Sequence, residues 1–175
     1  MESIDQKIYN SQRVFVINDK IIDWNLEKRH GMQKYRKHHQ YAFIEFNLYE
    51  LENYKREINT SSLEDYTSYI DWKVDENLFP KELYDIHIEE IKNYANFITL
   101  YISALKGKSL NFVFEITFIG FDVIDSFRKN TYGRAFIEAF ISCFDEESYN
   151  LGKLHKEQYH SLENIKYQMK HYKND

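Results

Sequence analysis

The tripeptide Asp71-Trp72-Lys73, followed closely by Asp75 and Glu76, comes nearest to a catalytic arrangement in this sequence. A metal-dependent nuclease needs two or three carboxylates on its ion and a lysine near the attacking water. In such sites the acidic residue and the lysine follow an upstream aspartate, whereas here the tripeptide stands alone. Because matches this short often arise by chance, we interpret the segment as a polar loop with one buried tryptophan.

The histidines and the cysteine lack the spacing of a metal or nucleophile site. His38 and His39 are adjacent, and His155 and His160 are five residues apart, which fits one ion on one helical face poorly. Cys143, the single cysteine, lies in an apolar stretch without a candidate base, which is typical of a core residue. Glycine-rich phosphate loops and the Gly-x-Ser-x-Gly motif are absent as well. We therefore predict no catalytic residue, no metal and no cofactor.

Charge is spread unevenly along the chain. The net charge of −5 disfavours a protein that binds nucleic acid in bulk. Residues 41–90 hold 4 basic and 13 acidic side chains, a net of −9, whereas residues 1–40 sum to +3 and residues 91–175 to +1. Most charge runs are solvated faces, but an acidic segment of this strength would also attract a basic partner. Both interpretations remain open at this stage.

A basic segment precedes the acidic one. It comprises Lys28-Arg29-His30 and residues 34–39, which read Lys-Tyr-Arg-Lys-His-His. Such a segment can bind a phosphate, but the acidic remainder of the chain would repel a nucleic acid. We interpret it as a solvated segment that balances the acidic one within the molecule.

Length and composition indicate how these residues are held. A chain of 175 residues favours one domain, and no repeat or linker divides it. With 43% apolar and 29% charged residues it is neither disordered nor a membrane protein. We predict a single α+β domain over residues 1–175, with a mainly antiparallel sheet and helices packed on it.

The first half of the chain has weak periodicity. Residues 14–17 and 21–24 are β-prone and flank Asn18-Asp19, which predicts a hairpin. Residues 26–39 read as a loop or frayed helix, and residues 41–46 as a strand. Two helices are predicted next, over 48–58 and from Ser61 or Ser62 through Tyr69.

The second half has stronger periodicity. A long helix is predicted from Pro80 to Leu105, because proline suits its first position and Gly107 its end. Residues 111–124 read as a central strand covered on both faces. Residues 131–144 and 154–172 return to helical period, the latter with Leu162, Ile165 and Met169 inward.

Nothing in the sequence predicts export or membrane insertion. The first residues lack the basic start and apolar run of a signal peptide. The most apolar stretch, residues 97–105, is far shorter than the ~20 residues that span a bilayer. We therefore expect a cytoplasmic protein.

One part of the chain resembles a known family. A long β run, Asn-Phe-Val-Phe-Glu-Ile-Thr-Phe-Ile-Gly-Phe-Asp-Val-Ile-Asp-Ser over residues 111–126, leads into Thr-Tyr-Gly-Arg-Ala-Phe-Ile-Glu-Ala-Phe-Ile-Ser-Cys-Phe over residues 131–144. This segment, about a fifth of the chain, is similar to the immunity proteins of bacterial contact-dependent growth inhibition and related polymorphic toxin systems.

The resemblance implies a cytoplasmic protein that binds one cognate toxin domain, often a nuclease, and blocks its active site or an exosite. One group of these proteins accepts a toxin β-hairpin at a sheet edge. Their binding residues diverge with the toxin, so the resemblance assigns no functional residues to this sequence.

Physical reasoning supplies candidates for the partner-binding surface. A nuclease cleft must be basic to bind phosphates, and an acidic surface can occupy it. Hot spots of interfaces are enriched in tryptophan and other large apolar groups. The predicted surface therefore combines carboxylates with two aromatic anchors: Asp71, Trp72, Asp75, Glu76, Phe79, Glu82, Asp85 and Glu89.

Two other classes of function stay open. Another acidic interaction protein, such as a phage-encoded inhibitor of a host nuclease, would share this physics and differ in genomic neighbourhood. A small metal-dependent nuclease would instead use Asp71, Lys73 and Asp75 for catalysis.

Overall fold

The computed structural model describes residues 13–54, 68–75, 77–122 and 124–171, with residues 160–171 described as helical backbone. The described strands form one sheet with the order β1-β2-β4-β3. Its strands are β1 (Arg29–Lys37), β2 (Gln40–Glu50), β3 (Ser68–Trp72) and β4 (Phe112–Gly120). The β1/β2 and β2/β4 pairs are antiparallel and the β3/β4 pair is parallel. The predicted α+β class with a mainly antiparallel sheet is confirmed.

Besides a helical turn at residues 13–15, five helices accompany the sheet in the described ranges. They are α1 (Asn18–Asp23), α2 (Leu51–Tyr54), α3 (Lys81–Lys106), α4 (Thr131–Ser142) and α5 (Glu146–His171). Helix α3 connects β3 to β4, as a parallel pair requires. Helix α4 packs on β1 and β2, α3 packs on α4 and β3, and α5 packs on β1 and α4.

The predicted hairpin over residues 14–24 is wrong. Residues 13–15 and 18–23 are helical. The apolar residues Val14, Ile17, Ile21 and Trp24 are all buried, and their spacings of three, four and three residues are helical. Residue type favoured strand, but the spacing of the buried positions decided the outcome.

The predicted loop or helix at 26–39 is also wrong, because Arg29–Lys37 form strand β1. Strand β1 is rich in basic residues, but it also contains Gly31, where a Cβ atom would lie 2.2 Å from the carbonyl oxygen of Ala139. The strand therefore depends on close contact with α4, which no local pattern reports.

The strand predicted over 41–46 is confirmed and extends into the predicted helix. Residues 48–50 stay in β2, where Leu48 pairs with Phe114, and only residues 51–54 are helical. Residues 55–58 lie outside the described residues. The predicted helix from Ser61 or Ser62 lies mostly outside them too, and its end is wrong because residues 68–69 belong to β3.

The long helix is confirmed as α3. Leu83, His87, Ile91 and Ile98 lie on its buried stripe. Pro80 is the N-cap, and Gly107 ends the helix with a φ of 64°, a conformation that glycine adopts without steric cost. Its buried stripe packs against β3 and α4, while Glu82, Asp85 and Glu89 remain at the surface.

Both faces of the sheet are covered, as the apolar pattern of residues 111–124 predicted. On the α3/α4 face, Phe46 stacks on Phe136 of α4 at 4.8 Å between ring centroids. On the opposite face, called here the α5 face, Tyr159 of α5 packs edge-on against Phe118 at 5.6 Å. The central strand ends at Gly120, earlier than predicted.

The last two helices agree with prediction in part. Helix α4 buries the predicted stripe of Tyr132, Phe136 and Phe140, and Cys143 after it is buried in the core. Helix α5 starts at Glu146, eight residues before the predicted start. The inward positions predicted beyond residue 160 lie outside the described side chains.

Candidate functional site

The predicted binding residues lie on strand β3, on the connection that follows it and on the first turns of α3. Asp71 and Trp72 are the last two residues of β3, so their side chains point to opposite faces of the sheet. Asp71 is in register with Glu115 on the α5 face, whereas Trp72 contacts Tyr84 of α3. The structure therefore divides the predicted surface into two parts, and the segment predicted to be a loop at Asp71-Trp72 is strand.

Asp71 is engaged within the protein. Its carboxylate accepts a hydrogen bond from the Tyr54 hydroxyl at 2.5 Å and lies 3.1 Å from Lys73 Nζ. The same hydroxyl lies 3.2 Å from Glu115, whose other oxygen accepts from Asn47 at 2.7 Å. Burial, followed by Asp71 and Glu115, raises the pKa of Tyr54. Asp71 thus holds β3 and α2 together on the α5 face.

Asp75 shapes the β3–α3 connection. Its carboxylate oxygen accepts a hydrogen bond from the Asn77 backbone N–H at 2.8 Å, and its carbonyl accepts from Leu78 N–H at 2.9 Å. This arrangement is an Asx-type turn, which Asp stabilises through its own side chain. Asp75 is exposed, so it retains charge at the surface, and Glu76 lies outside the described residues.

Three acidic residues project from the start of α3. Glu82 and Asp85 are exposed and make no ion pair or hydrogen bond within the described part of the chain. Glu89 pairs with Lys92 at 2.9 Å, but both side chains are more than half exposed, and such surface pairs contribute little. The most available negative charge is therefore that of Glu82 and Asp85.

The predicted aromatic anchors differ from each other. Trp72 is half-buried, whereas Phe79 is only 4% exposed and packs against Phe121 and Tyr132. Phe79 cannot itself be a surface anchor, because its apolar ring completes the core where α3 begins. Leu78 beside it is 64% exposed, and Ile86 is 42% exposed. The sequence does not distinguish these two residues, because isolated apolar residues give no signal of exposure.

The connection from β4 to α4 is held by α3. His87, 1% exposed, lies 2.6 Å from the Ser126 carbonyl through Nε2. Glu90 accepts hydrogen bonds from the backbone N–H groups of Asn130 and Gly133, at 3.0 and 2.5 Å. A carboxylate from another helix therefore caps the N-terminus of α4, where the helix dipole favours negative charge.

This connection presents two more apolar side chains beside α3. Ile124 is 83% exposed and Phe127 is 47% exposed. The contact of Glu90 with the start of α4 could not be predicted from local spacing, because about forty residues separate Glu90 from its partners.

A second polar cluster lies on the α5 face near the other edge of the sheet. Glu45, 7% exposed, lies 2.9 Å from His30 Nε2 and 2.5 Å from Lys156 Nζ. His30 Nδ1 lies 2.7 Å from the Tyr149 hydroxyl. Burial opposes ionisation of Glu45, but hydrogen bonds from His30 and Lys156 outweigh it, so its pKa is lowered. The cluster joins β1, β2 and α5.

In the described ranges the possible metal ligands are not grouped, and the single thiol is buried. No group of three or more His, Cys, Asp or Glu residues in them is arranged to hold a metal ion. Burial raises the pKa of the Cys143 thiol, which disfavours the nucleophilic thiolate. No helix among the described residues is both long and apolar enough to cross a bilayer.

Comparisons with known proteins add little. No family model matches the chain, and no curated protein matches it. A crystal structure of a protein from Thermus thermophilus is similar over 66% of this chain, with 14% sequence identity and a TM-score of 0.36. The similar region is 16% of that protein's chain.

Proposed function

We propose that this chain is the immunity protein of a polymorphic toxin system of the contact-dependent growth inhibition type. It binds a cognate toxin domain in the cytoplasm and neutralises it stoichiometrically, with no chemistry of its own. The toxin domain is a nuclease or another protein with a basic cleft. One observation carries the proposal: the exposed carboxylates of Glu82 and Asp85, which have no partner among the described residues, stand beside the exposed apolar side chains of Leu78 and Ile86.

Charge supports a basic partner. A nuclease cleft presents Lys and Arg to phosphates. Residues 71–90 contain seven acidic and two basic side chains. Opposite potentials steer association and penalise wrong partners. Because Glu82 and Asp85 are not neutralised by described residues, their charge is available to such a cleft.

Exposed apolar groups support a protein partner in particular. Leu78, Ile86, Ile124 and Phe127 lie on the connections and first turns that meet at the ends of β3 and β4. Burial of such groups provides the desolvated centre of an interface, and charges at its rim set specificity. Strand β3 is also a sheet edge in the described part of the chain, so a partner strand could add main-chain hydrogen bonds there.

Two alternative functions remain to be compared with this proposal: an acidic inhibitor of another basic protein and a metal-dependent nuclease. An acidic inhibitor of another basic protein would use the same surface. The catalytic alternative would need Asp71 and Asp75 as metal ligands and Lys73 near the attacking water. Asp71 is instead bonded to Tyr54 and Lys73, and Asp75 forms a turn, so no observation favours that alternative.

The first experiment is co-purification with the C-terminal domain of the protein encoded immediately upstream in the genome. We expect a one-to-one complex that suppresses the toxicity of that domain when both are expressed in one cell. A folded chain that fails to bind the domain and fails to protect the cell contradicts the proposal.

A charge series then tests the surface. Glu82→Gln, Asp85→Asn and Glu89→Gln together should slow association and flatten its dependence on salt. The matched control neutralises three exposed carboxylates elsewhere, Asp19→Asn, Glu146→Gln and Glu147→Gln, and should change both much less. Equal effects of the two triple variants would show that only net charge matters.

A further inference from the structure

A pocket opens between the end of β3 and the first turns of α3. Its volume is about 620 Å³, and its described lining residues are Trp72, Asn77, Phe79, Lys81, Tyr84 and Asp85. We call it the Trp72 pocket. The Trp72 ring lies 4.9 Å from that of Tyr84 at 79° and 5.8 Å from that of Phe79 at 45°. Three aromatic rings of different orientation therefore converge on one space.

The rings are not equally exposed. Phe79 is buried and lies at the base, whereas Trp72 and Tyr84 are half-buried and form walls that solvent reaches. In a core cluster all three would be covered. The half-exposed rings therefore leave aromatic surface on which a planar group can stack.

Two polar groups that line the pocket have no hydrogen-bond partner in the described part of the chain, whereas Asn77 is bonded to Asp75. Within the described residues, the indole N–H of Trp72 has no acceptor, whereas that of Trp24 donates to the Glu27 carbonyl at 2.8 Å. Asp85 likewise has no partner among them. The pocket thus offers aromatic faces together with one available carboxylate.

These groups suit an organic cation. Aromatic faces attract cations through the ring quadrupole, and a carboxylate adds a charge-assisted hydrogen bond. The positive charge of Lys81, which also lines the pocket, opposes the binding of a cation. Acidic residues nevertheless outnumber basic ones seven to two over residues 71–90. A nucleotide would also stack on the rings, but its phosphates would meet this negative charge.

Among cations, the guanidinium group fits best. It is planar, stacks on aromatic rings and meets a carboxylate through two parallel hydrogen bonds, whereas an ammonium is a compact and strongly hydrated charge. Arginine is also enriched at the energetic centres of protein interfaces.

We propose that the Trp72 pocket binds the guanidinium group of an arginine side chain presented by the protein partner. The ring of Trp72 stacks on the group and Asp85 pairs with it. The identity of that partner as a toxin domain rests on the proposed function, whereas recognition of guanidinium by the pocket can be tested on this chain alone.

The test on the chain alone uses Nα-acetyl-arginine-N-methylamide as the probe and observes the two indole N–H signals by NMR. We expect saturable movement of the Trp72 signal within about 50 mM probe, since a single side chain binds weakly. The Trp24 signal is the internal control because its N–H is already bonded. The citrulline analogue, which has nearly the same shape without the charge, should cause little movement.

Two variants assign the contacts. Asp85→Asn should weaken probe binding about tenfold, the usual scale of a lost charge-assisted contact. Glu82→Gln, which removes an exposed carboxylate outside the pocket lining, should weaken it much less. No movement of the Trp72 signal at about 50 mM, or equal movement with citrulline, overturns the proposal.

The test in the complex separates this proposal from the proposed function. Asp85→Asn and Trp72→Leu should each raise the dissociation constant for the upstream-encoded domain at least about tenfold. Because Asp85 is exposed, we expect Asp85→Asn to fold normally. It therefore still tests the pocket if Trp72→Leu fails to fold. If the wild-type chain forms no complex, the proposed function fails. If it forms one that Asp85→Asn leaves unchanged, the pocket proposal fails and the function stands.

Discussion

Strand β1, at one edge of the sheet, is covered by α4 and α5, whereas all five residues of β3, at the other edge, are only half-buried. On the β1 edge, the Met32 N–H donates to Ser142 Oγ at 2.9 Å, and Gly152 of α5 approaches the Met32 carbonyl. Edge strands need protection from unwanted pairing. Contacts within the protein protect β1, whereas β3 is short, and Asp71 near its end forms an ion pair with Lys73 just beyond it.

Charges follow the same division. Glu45, near β1, is nearly buried and bonded to His30 and Lys156. Glu82 and Asp85, beside β3, are exposed and unpartnered among described residues. Glu45 therefore maintains the fold, whereas Glu82 and Asp85 stay unneutralised by the described residues.

Glu45→Ala should lower the free energy of unfolding by about 3 kcal/mol, because it leaves Lys156 and His30 without their buried partner. Urea denaturation measures the change. Glu45→Gln keeps the shape and should cost less. A loss below about 1 kcal/mol for the alanine variant would show that the cluster near β1 does not maintain the fold.

Gly31→Ala should cost about 2 kcal/mol, because the new Cβ would lie 2.2 Å from the Ala139 carbonyl and 2.5 Å from Cys143 Sγ. The backbone of α4 cannot move aside cheaply. Gly107→Ala is the comparison: no atom lies within 4 Å, so only its positive φ is strained, at about 1 kcal/mol. Thermal unfolding should rank the two variants in this order, and the opposite rank would mean that α4 does not press closely on β1.

Tyr54→Phe should cost about 1 kcal/mol, because the hydroxyl joins Asp71 and Glu115 across β3 and β4. Tyr69→Phe is a matched control, since Tyr69 packs in the same small cluster and its hydroxyl makes no hydrogen bond with described residues. Denaturant titration compares the two. Equal small losses would mean that the hydroxyl does not stabilise this edge.

His155 should make stability near the β1 edge depend on pH. Burial and then Lys34 lower the pKa of His155, so the folded chain resists a proton that the unfolded chain accepts below its ordinary value of 6.5. Its contribution is therefore full above that value and falls as the pH is lowered through the interval beneath it. His155→Gln should reduce the loss of stability between pH 7 and about 5 in chemical denaturation. An unchanged pH dependence would contradict this assignment.

Glu82→Gln with Asp85→Asn should leave the unfolding free energy within about 0.5 kcal/mol of the original, because neither carboxylate has a partner within the described chain. A larger loss would show that these charges serve the fold, and it would remove the contrast between the two edges.

Strongly periodic elements were predictable from local residues. Helix α3 follows from its apolar stripe and from Pro80 and Gly107, and β4 follows from a β-prone run with apolar residues on both faces. Strand β1 was not predictable, because its pattern depends on α4 pressing on Gly31. The helical residues near Val14 and Ile17 were mistaken for strand because β-branched residues outweighed spacing.

The residue types of the candidate site were predictable from the sequence, but which of its side chains share one surface was not. The acidic segment around Glu82 and Asp85, and the presence of Trp72 in it, are visible in the sequence. The division of Asp71 from Trp72 was missed because the segment was interpreted as a loop, whereas alternation along β3 places them on opposite faces. Phe79 is predicted at the surface but is buried, because its ring packs on Phe121, which follows β4, and on Tyr132 of α4.

The sequence by itself determined the α+β class, the long acidic helix and an uneven charge that favours basic partners, because these depend on local periodicity and on counts of charge. Only the tertiary structure decided which carboxylates are neutralised internally and which remain available. It also decided that Trp72, Tyr84 and Asp85 line one pocket. Contacts between residues far apart in the chain fix these outcomes, and no local pattern encodes them.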